Sequence, residues 1–307
     1  MPRTSLSILA LSIVLVPGSA GAASAELSSF AATSAMRALA VPSPYRIPQV
    51  ALEGTIRYRL ALDNGERLSL PETGEQGIRY DEGAVVVTVC ADCGNEAAPT
   101  ADQLEQYRSA NDWVQSRDRR IIDFARRARR PTSEATMLAL TVAVKKHMNG
   151  TIAFNTYASA TQAFESRSGD CTEFAVLLAA AARARGIPAR IVAGLAYAPR
   201  FLGNRHVFTP HLWVQVWNGK RWISHDAGLD GFDATHIALA IGDGSPQAFA
   251  GLMRTIAHLQ ITAAAQVVVD EPAARRAAAG VFRSHHPALG APFSRREEGK
   301  PIRDWTP

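Results

Sequence analysis

An Asn-Gly pair at positions 218 and 219 lies between two short segments with strand patterns, and it constrains the fold more than any other feature of the chain. Residues 211–217 and 221–226 both read as strands because aromatic and β-branched side chains recur along them. An Asn-Gly pair between two such segments is the strongest short-range signal of a β-hairpin. The sequence therefore predicts an antiparallel pair of strands in the C-terminal half of the chain.

The hairpin also predicts which side chains face each other. If the Asn-Gly pair forms the whole loop, His211 stands directly opposite Asp226, with Cβ atoms about 4.5–5.5 Å apart. A carboxylate at that distance can orient an imidazole. Leu212 and Val214 point to the other face, toward a core, and His225 lies with them. The register depends on the loop, because a longer loop or a bulge would change it.

Cys171 begins an apolar segment with helical character, residues 171–185, and Ser168 or Asp170 can cap this helix. A thiol in the first turn faces unpaired backbone N–H groups, which lowers the pKa of the thiol and favours the reactive thiolate. The same N–H groups can stabilise an oxyanion. A single cysteine is more often a small buried hydrophobic residue, so its position alone leaves both interpretations open.

Four segments, in this order, resemble the core of the bacterial transglutaminase-like proteins. They are Ser-Gly-Asp-Cys-Thr-Glu-Phe-Ala at 168–175, Arg-Ala-Arg-Gly-Ile-Pro-Ala-Arg at 183–190, His-Leu-Trp-Val-Gln-Val at 211–216 and Trp-Ile-Ser-His-Asp-Ala at 222–227. The resemblance covers residues 136–242. It implies an α+β fold of the papain-like kind, in which a cysteine-bearing helix packs on an antiparallel sheet that carries the histidine and the aspartate.

The resemblance also implies a catalytic triad, with Cys171 as nucleophile, His211 as base and Asp226 as the orienting acid. The chemistry would be acyl transfer through a thioester on peptide or carboxamide bonds of a peptide or protein substrate. Hydrolysis and transfer to an amine are not separable from the sequence, so protease, amidase and transferase remain open. A catalytically silent binding or scaffold module of the cell envelope is the alternative.

Two positions depart from the family pattern, and three further residues bear on the site. Gln215 stands where many relatives carry glutamate, and Phe174 where many carry a shorter or polar residue; both bear on the substrate more than on the chemistry. Gln162 is a weak candidate for the second oxyanion donor. His206 and His236 are expected to be surface or hydrogen-bonded polar histidines outside the triad.

The segments before and after this core differ from it in composition. Strand patterns at 55–60 and 84–89 predict a small β-rich domain, with a linker before it, over residues 26–97. The catalytic domain is expected at 98–270. The remaining residues, 271–307, are rich in Ala, Arg and Pro and predict a poorly ordered tail.

Residues 1–25 have the pattern of a signal peptide. Arg3 precedes an apolar stretch at 6–16, and small residues at 19–25 offer cleavage sites. The apolar stretch is short for a membrane span, which needs about 20 apolar residues. The sequence therefore predicts a periplasmic or secreted protein without an integral membrane segment after cleavage.

Charge and motifs exclude several other classes. The formal net charge of +5 over 307 residues is too small and too dispersed to predict nucleic-acid binding. The chain has neither a Gly-rich phosphate loop nor the ligand spacing of a calcium loop. No cofactor and no metal are predicted to be required.

The three cysteines divide into a close pair and a single residue. Cys90 and Cys93 can form a local disulfide, which would leave Cys171 free to react. Half of a zinc site is less well supported because no second pair of ligands lies at a suitable spacing. A thioredoxin-like redox motif should open a helix, whereas a strand pattern precedes this pair and Pro99 follows it.

Overall fold

The computed structural model describes residues 32–267, except 82, 151–156 and 230. The predicted signal peptide and the predicted tail lie outside the described residues. Within the described part of the chain, no helix combines the length and apolar character needed to cross a membrane.

A five-stranded antiparallel sheet forms the centre of the fold. Its strands are β1 (Val41–Pro42), β5 (Ala189–Phe201), β6 (Asn204–Trp217), β7 (Trp222–His225) and β8 (Ile237–Gly242). The spatial order is β1-β6-β5-β8, and β7 pairs with the end of β6 on the same edge as β1. The long β5–β6 hairpin is therefore the frame to which the other strands attach.

Helices cover this sheet. They are α1 (residues 32–38), α2 (Gln49–Leu52), α3 (Ala101–Gln106), α4 (Arg119–Arg127), α5 (Ser133–His147), α6 (Ala160–Ser166), α7 (Cys171–Arg183) and α8 (Leu252–Ala257). The central helix α7 packs on β5 and β6 and is surrounded by α4, α5 and α6. The predicted α+β class, with a cysteine-bearing helix on an antiparallel sheet, is confirmed.

Helix α7 begins and ends where the local sequence directs. The Asp170 carboxylate accepts from the N–H groups of Thr172 and Glu173, and the Glu173 side chain accepts from the Asp170 N–H, which makes a capping box. At the other end the chain turns at Gly186, whose φ of +73° is costly for residues with a Cβ. Residues 175–182 are all alanine, valine or leucine, and every one of them is buried, so this part of α7 approaches the sheet closely.

A second antiparallel sheet lies beside the first. It contains β2 (Thr55–Leu62), β3 (Gln76–Asp81), β4 (Ala84–Val89) and β9 (Leu259–Val267), in the spatial order β3-β4-β2-β9. The N-terminal segment is β-rich, as predicted, but the sheet is completed by a strand from the other end of the described chain. The division into two domains stays a prediction.

Buried polar contacts join the two sheets. The Glu75 carboxylate accepts from the Ser224 N–H at 3.0 Å, from the Ser224 hydroxyl and from the Gln215 amide at 3.1 Å. The Gln76 amide bonds both the N–H and the carbonyl of Ala238, at 2.8 and 2.9 Å. These contacts also account for glutamine at position 215, because a glutamate there would face the Glu75 carboxylate.

The hairpin register differs from the predicted one. Trp217 pairs with Trp222, so the loop contains four residues instead of two. The cause is the side chain of Asn218, whose Oδ1 accepts from the N–H groups of both Lys220 and Arg221 at 2.9 Å. This Asx turn holds Lys220 and Arg221 in the loop, so neither residue is available to pair with β6.

The prediction that His211 stands directly opposite Asp226 is therefore wrong. Strand β7 ends at His225, which pairs with Val214, and Asp226 lies just beyond the strand. Because the shift is an even number of residues, every side chain keeps its predicted face. Asp226 reaches His211 from the end of the strand instead of across the ladder.

Gly194 allows β8 to pack closely beside β5 of the β5–β6 hairpin. It pairs with His211 on one side, and on the other side the register of β5 with β8 shifts between Ala193 and Gly194. A Cβ on Gly194 would lie 2.0 Å from the Ile237 carbonyl oxygen and 3.0 Å from the Trp213 ring. Only glycine fits this position, and the bulge sets where β8 begins.

We expect Gly194→Ala to lower the free energy of unfolding by about 1–3 kcal/mol, because the added methyl group forces β8 away from β5. Chemical denaturation monitored by circular dichroism measures this. Gly74→Ala is the matched control, since a Cβ at this buried glycine would meet its nearest atom, the Trp222 carbonyl oxygen, at an ordinary 3.7 Å. Equal stability losses in the two variants would contradict the explanation.

Candidate active site

His211 and Asp226 form a buried hydrogen-bonded pair at the end of β6. His211 Nε2 lies 2.7 Å from Asp226 Oδ2, and both side chains are nearly inaccessible. The other oxygen, Oδ1, accepts from the N–H groups of Gly228 and Leu229 at 2.7 and 3.1 Å. The loop after β7 thus fixes the carboxylate, and the carboxylate fixes the imidazole with Nδ1 as its remaining ring nitrogen.

A second histidine shares the same carboxylate, and the sequence analysis did not assign it to the site. His236 Nε2 lies 3.0 Å from Asp226 Oδ2, and its Nδ1 lies 3.2 Å from Asp233 Oδ1. The expectation of a hydrogen-bonded polar histidine is correct, but its partner is the aspartate of the predicted triad. Its position just before a strand pattern is a weak signal, because the pairing of that strand with β5 is not visible in the sequence.

These contacts determine the charge of Asp226. Burial by itself would raise the pKa of this carboxyl, but the charges and hydrogen bonds of His211 and His236 hold it well below its usual range. Asp226 is therefore an anion at neutral pH, buried between two imidazoles.

Cys171 is the first residue of α7, and it lies near His211. Both residues line one pocket, and a Cβ placed on Gly228 would touch both of them, at 3.8 Å from Cys171 Cα and 3.6 Å from His211 Cε1. The capping hydrogen bonds of Asp170 and Glu173 do not involve the Cys171 N–H. The three residues predicted for the triad are thus brought together around one point.

The electrostatic setting of the thiol differs from the expectation. Burial raises the pKa of the Cys171 thiol well above its usual range, and the carboxylates of Asp170, Glu173 and Asp226 raise it further. A hydrogen bond from the Leu212 N–H acts in the opposite direction. The predicted lowering by the helix N-terminus is therefore outweighed, and the resting residue is a thiol.

The pocket beside Cys171 is an open cleft with mostly apolar walls, and its empty space of about 710 Å³ includes space open to solvent. Phe174 from α7 and Leu229 from the loop after β7 are among its walls. The walls also include residues from β5, β6 and α1: Met36, Ala196, Tyr197, Ala198, Phe201 and Pro210. Phe174, a departure from the family pattern, is therefore part of the pocket wall.

Trp213 closes the site from behind. Its ring lies nearly parallel to His211, with centroids 6.2 Å apart, and meets His236 edge-on at 5.2 Å. Its Nε1 donates to the Ser224 hydroxyl at 3.1 Å, so the indole has a polar partner although it is buried. The Asp226 carboxylate is thereby kept away from water on this side.

Three other residues considered in the sequence lie outside this arrangement. The Gln162 side chain accepts from the Ser159 N–H and caps α6, and Gln162 is not among the residues that line the pocket. His206 Nδ1 lies 2.8 Å from the Tyr197 hydroxyl. His225 is buried on the opposite face, as predicted, where burial lowers its pKa to about 4.

Three of these side chains, His211, Asp226 and His236, are of the types that bind metals, and their ligand atoms lie within 4.8 Å of one another. Each histidine Nε2 lies at hydrogen-bond distance from one oxygen, 2.7 and 3.0 Å. Ligands arranged tetrahedrally about 2.1 Å from zinc would be about 3.4 Å apart. The cluster fits shared protons better than a metal ion.

The other two cysteines form the expected local disulfide, Cys90–Cys93, and Cys171 is a free cysteine. The disulfide closes the turn after β4. The Cys90 N–H donates to the carbonyl of Glu75, at 3.1 Å, so this turn is attached to the residue that joins the two sheets.

The fold and the site define an α+β protein in which a cysteine at a helix N-terminus meets a histidine–aspartate pair held by a sheet. Residues 122–227 match the model of the transglutaminase-like superfamily. The matched segment contains all three residues of the predicted triad.

A curated relative is the protein-glutamine gamma-glutamyltransferase of Pseudomonas aeruginosa. The two are 42% identical over 69 residues, which is 20% of this chain and 10% of the relative. The chain thus matches about a tenth of the length of that relative.

Two solved structures are similar in part. One is a candidate cysteine protease from Cytophaga hutchinsonii, with 17% identity, a TM-score of 0.43 and coverage of 72% of this chain and 88% of that one. The other is the periplasmic domain of TgpA from Pseudomonas aeruginosa, with 18% identity, a TM-score of 0.40 and coverage of 61% and 74%.

We expect Asp170→Asn to move the pH profile of Cys171 alkylation to lower pH, because it removes a carboxylate that raises the pKa of the thiol. Asparagine still caps the helix, so α7 should keep its start. Iodoacetamide labelling at several pH values, mapped by mass spectrometry, measures the shift.

Asp118→Asn is the matched control, since Asp118 caps α4 through the Arg120 N–H and lies on a different helix. Its profile should coincide with that of the unchanged protein. A profile for Asp170→Asn that does not move, or moves to higher pH, would contradict the electrostatic account of the thiol.

Proposed function

We propose that this chain is an exported cysteine enzyme that transfers an acyl group from a peptide or carboxamide bond through a thioester. The proposal is carried by one observation: Cys171 and His211 share a pocket, and Asp226 holds the His211 ring by a 2.7 Å hydrogen bond. The match of residues 122–227 to the transglutaminase-like superfamily supports it.

In the first step His211 acts as a general base. The Asp226 bond occupies Nε2, so Nδ1 is the nitrogen that takes the proton from the Cys171 thiol. Because the pKa of the thiol is raised, the proton leaves as the sulfur attacks the carbonyl carbon, and little thiolate is present beforehand. The buried Asp226 anion stabilises the imidazolium that forms.

The attack places a negative charge on the carbonyl oxygen. The N–H of Cys171, which the capping bonds leave out, is the proposed donor to this oxyanion. His211 then returns the proton to the departing nitrogen, the carbon–nitrogen bond breaks, and a thioester to Cys171 remains. Water or a primary amine then attacks the thioester, and His211 again takes a proton. The carbon–sulfur bond breaks, His211 returns that proton to the departing Cys171 sulfur, and the acyl product leaves.

The pocket suggests what lies next to the reacting bond. Its walls are apolar, with Phe174, Tyr197 and Phe201 among them. A peptide with an apolar side chain beside the reacting carbonyl would bury that side chain there. We therefore propose a peptide or protein substrate, and hydrolysis and amine transfer are both compatible with the pocket.

Export is part of the proposal. The pattern of a signal peptide at residues 1–25 supports it. So does the Cys90–Cys93 disulfide, since disulfides persist in oxidising compartments such as the periplasm and are rare in the cytosol.

A catalytically silent scaffold module is the second candidate. It would need no pairing between the cysteine and the histidine. The enzyme is favoured because the free Cys171 and the Asp226-bonded His211 line the same pocket.

The test supplies glutamine-containing peptides with different neighbouring side chains, together with a fluorescent primary amine. Mass spectrometry separates three products: an amine adduct, a deamidated peptide and a cleaved peptide. We expect Cys171→Ala and His211→Ala to lower the rate at least about 10³-fold, and Asp226→Asn about 10²–10⁴-fold.

His225→Gln is the control, because this buried histidine faces away from the pocket. Its rate should equal that of the unchanged protein. Product formation that survives Cys171→Ala would refute the nucleophile. A folded protein that forms none of the three products, and whose Cys171 resists alkylation up to about pH 10, well above the ordinary thiol pKa, would favour the scaffold.

A further inference from the structure

His236 is a buried histidine that the proposed mechanism does not use. Its side chain is fully buried, and it lies just before β8. Its Nε2 approaches Asp226 Oδ2 at 3.0 Å, and the same oxygen accepts from His211 at 2.7 Å. The two imidazoles therefore share one oxygen of the carboxylate that holds the proposed base.

The other nitrogen of His236 faces a second carboxylate. Nδ1 lies 3.2 Å from both Oδ1 and the backbone carbonyl oxygen of Asp233. The Asp233 carboxylate is itself fixed, because its Oδ1 accepts from the N–H and the hydroxyl of Thr235 at 2.9 and 2.6 Å. An imidazole with oxygen acceptors at both nitrogens satisfies them only when both nitrogens carry protons.

A neutral ring is the competing arrangement. The Asp233 N–H also lies 3.2 Å from His236 Nδ1 and could donate to it if that nitrogen were unprotonated. This would leave the Asp233 Oδ1 and the ring nitrogen facing each other without a proton between them. The two carboxylates therefore favour the imidazolium.

Titratable groups from several elements face the His236 ring. Two are the carboxylates of Asp226 and Asp233. The third is His211, whose ring meets it edge-on at 5.5 Å. Tyr58 of β2 lies near Asp233: it donates to the Ala234 carbonyl, and its pKa is raised by burial and by the charge of Asp233. The aromatic rings of Trp213 and Phe232 also pack against it.

We propose that His236 is a positioning residue of the Cys171–His211–Asp226 site: an imidazolium that fixes Asp226 and offsets part of its negative charge. The inference rests on the proposed function, because Asp226 affects the reaction only through His211. The energetics agree: burial alone would lower the pKa of His236, but its hydrogen bonds to Asp226 and Asp233 and their charges raise it to about 9.

One consequence for the reaction follows from this charge. The Asp226 anion is one of the groups that raise the pKa of the Cys171 thiol, and a cation 3.0 Å from that anion weakens the effect. His236 therefore makes it easier for Cys171 to lose its proton, and it holds the carboxylate that orients His211.

The first test compares His236→Gln with His225→Gln. Glutamine can keep a donor toward Asp226 but cannot carry the charge, so we expect the alkylation profile of Cys171 to move to higher pH by about one unit. His225→Gln makes the same change at a buried histidine whose ring is neutral, and its profile should not move. Superimposable profiles for all three proteins would overturn the proposal.

The second test separates positioning from simple support of the fold. His236→Phe keeps a ring of similar size but loses both donors. We expect it to lower kcat about 10-fold or more with little change in KM on the glutamine peptides, because His236 is not a wall of the pocket. His236→Gln should recover part of that loss. A drop in thermal stability with kcat unchanged would assign His236 a structural role only and overturn the proposal.

The third test titrates the unchanged protein and measures the protonation of His236 directly. Nitrogen NMR of the chain with ¹⁵N-labelled histidines distinguishes protonated from bare ring nitrogens, and the spectrum of His236→Gln identifies the signals of His236. Both nitrogens should carry protons at neutral pH, and one proton should leave near pH 9. A bare Nδ1 at neutral pH would show the neutral ring and overturn the proposal.

Failure of the proposed function is distinguishable from failure of this inference. If the unchanged protein turns over no peptide but the NMR shows a doubly protonated His236, the charge assignment holds and the enzyme proposal fails. If the unchanged protein is active, and His236→Gln has the same activity and the same pH profile of Cys171 alkylation, the enzyme proposal stands and His236 has no part in the reaction.

Discussion

The structure depends on one buried carboxylate. Asp226 follows the last residue of β7, and both of its oxygens are fully used, Oδ1 by two backbone N–H groups and Oδ2 by His211 and His236. A carboxylate without these partners would be too costly to bury. Because the partners come from β6, from the loop after β7 and from the start of β8, the anion ties together the strands that surround the pocket.

The same carboxylate explains why the surroundings are so restricted. Residue 194 of β5, the ladder partner of His211, is glycine because the Ile237 carbonyl and the Trp213 ring occupy the space that a Cβ would need, and the bulge at that glycine sets where β8 begins, next to His236. Trp213 then fills the space behind both rings, and its indole N–H is satisfied through Ser224 and Glu75 of the second sheet. The N-terminal β-rich segment thus supports the site through Glu75.

The sequence was informative where local rules decide the structure. The start of α7, the faces of β6 and β7, and the local disulfide follow from capping, alternation and spacing, and the structure has all three. The hairpin register was wrong because the Asn218 side chain makes its own turn, which the dipeptide signal does not reveal. His236 was missed for a different reason: its role depends on β8 lying beside β5, and a pairing between strands distant in sequence leaves no local pattern.

The thiol shows how a local rule can be outweighed. A helix N-terminus favours a thiolate by a partial charge of about half a unit. Burial opposes this effect, and so do the carboxylates of Asp170, Glu173 and Asp226. Asp170 and Glu173 are also the residues that cap the helix. The feature that starts the helix therefore also opposes ionisation of its first side chain. A cysteine in this setting depends on a correctly placed base. Asp226 provides this placement, because the carboxylate that holds His211 is itself held by His236 and by two backbone N–H groups.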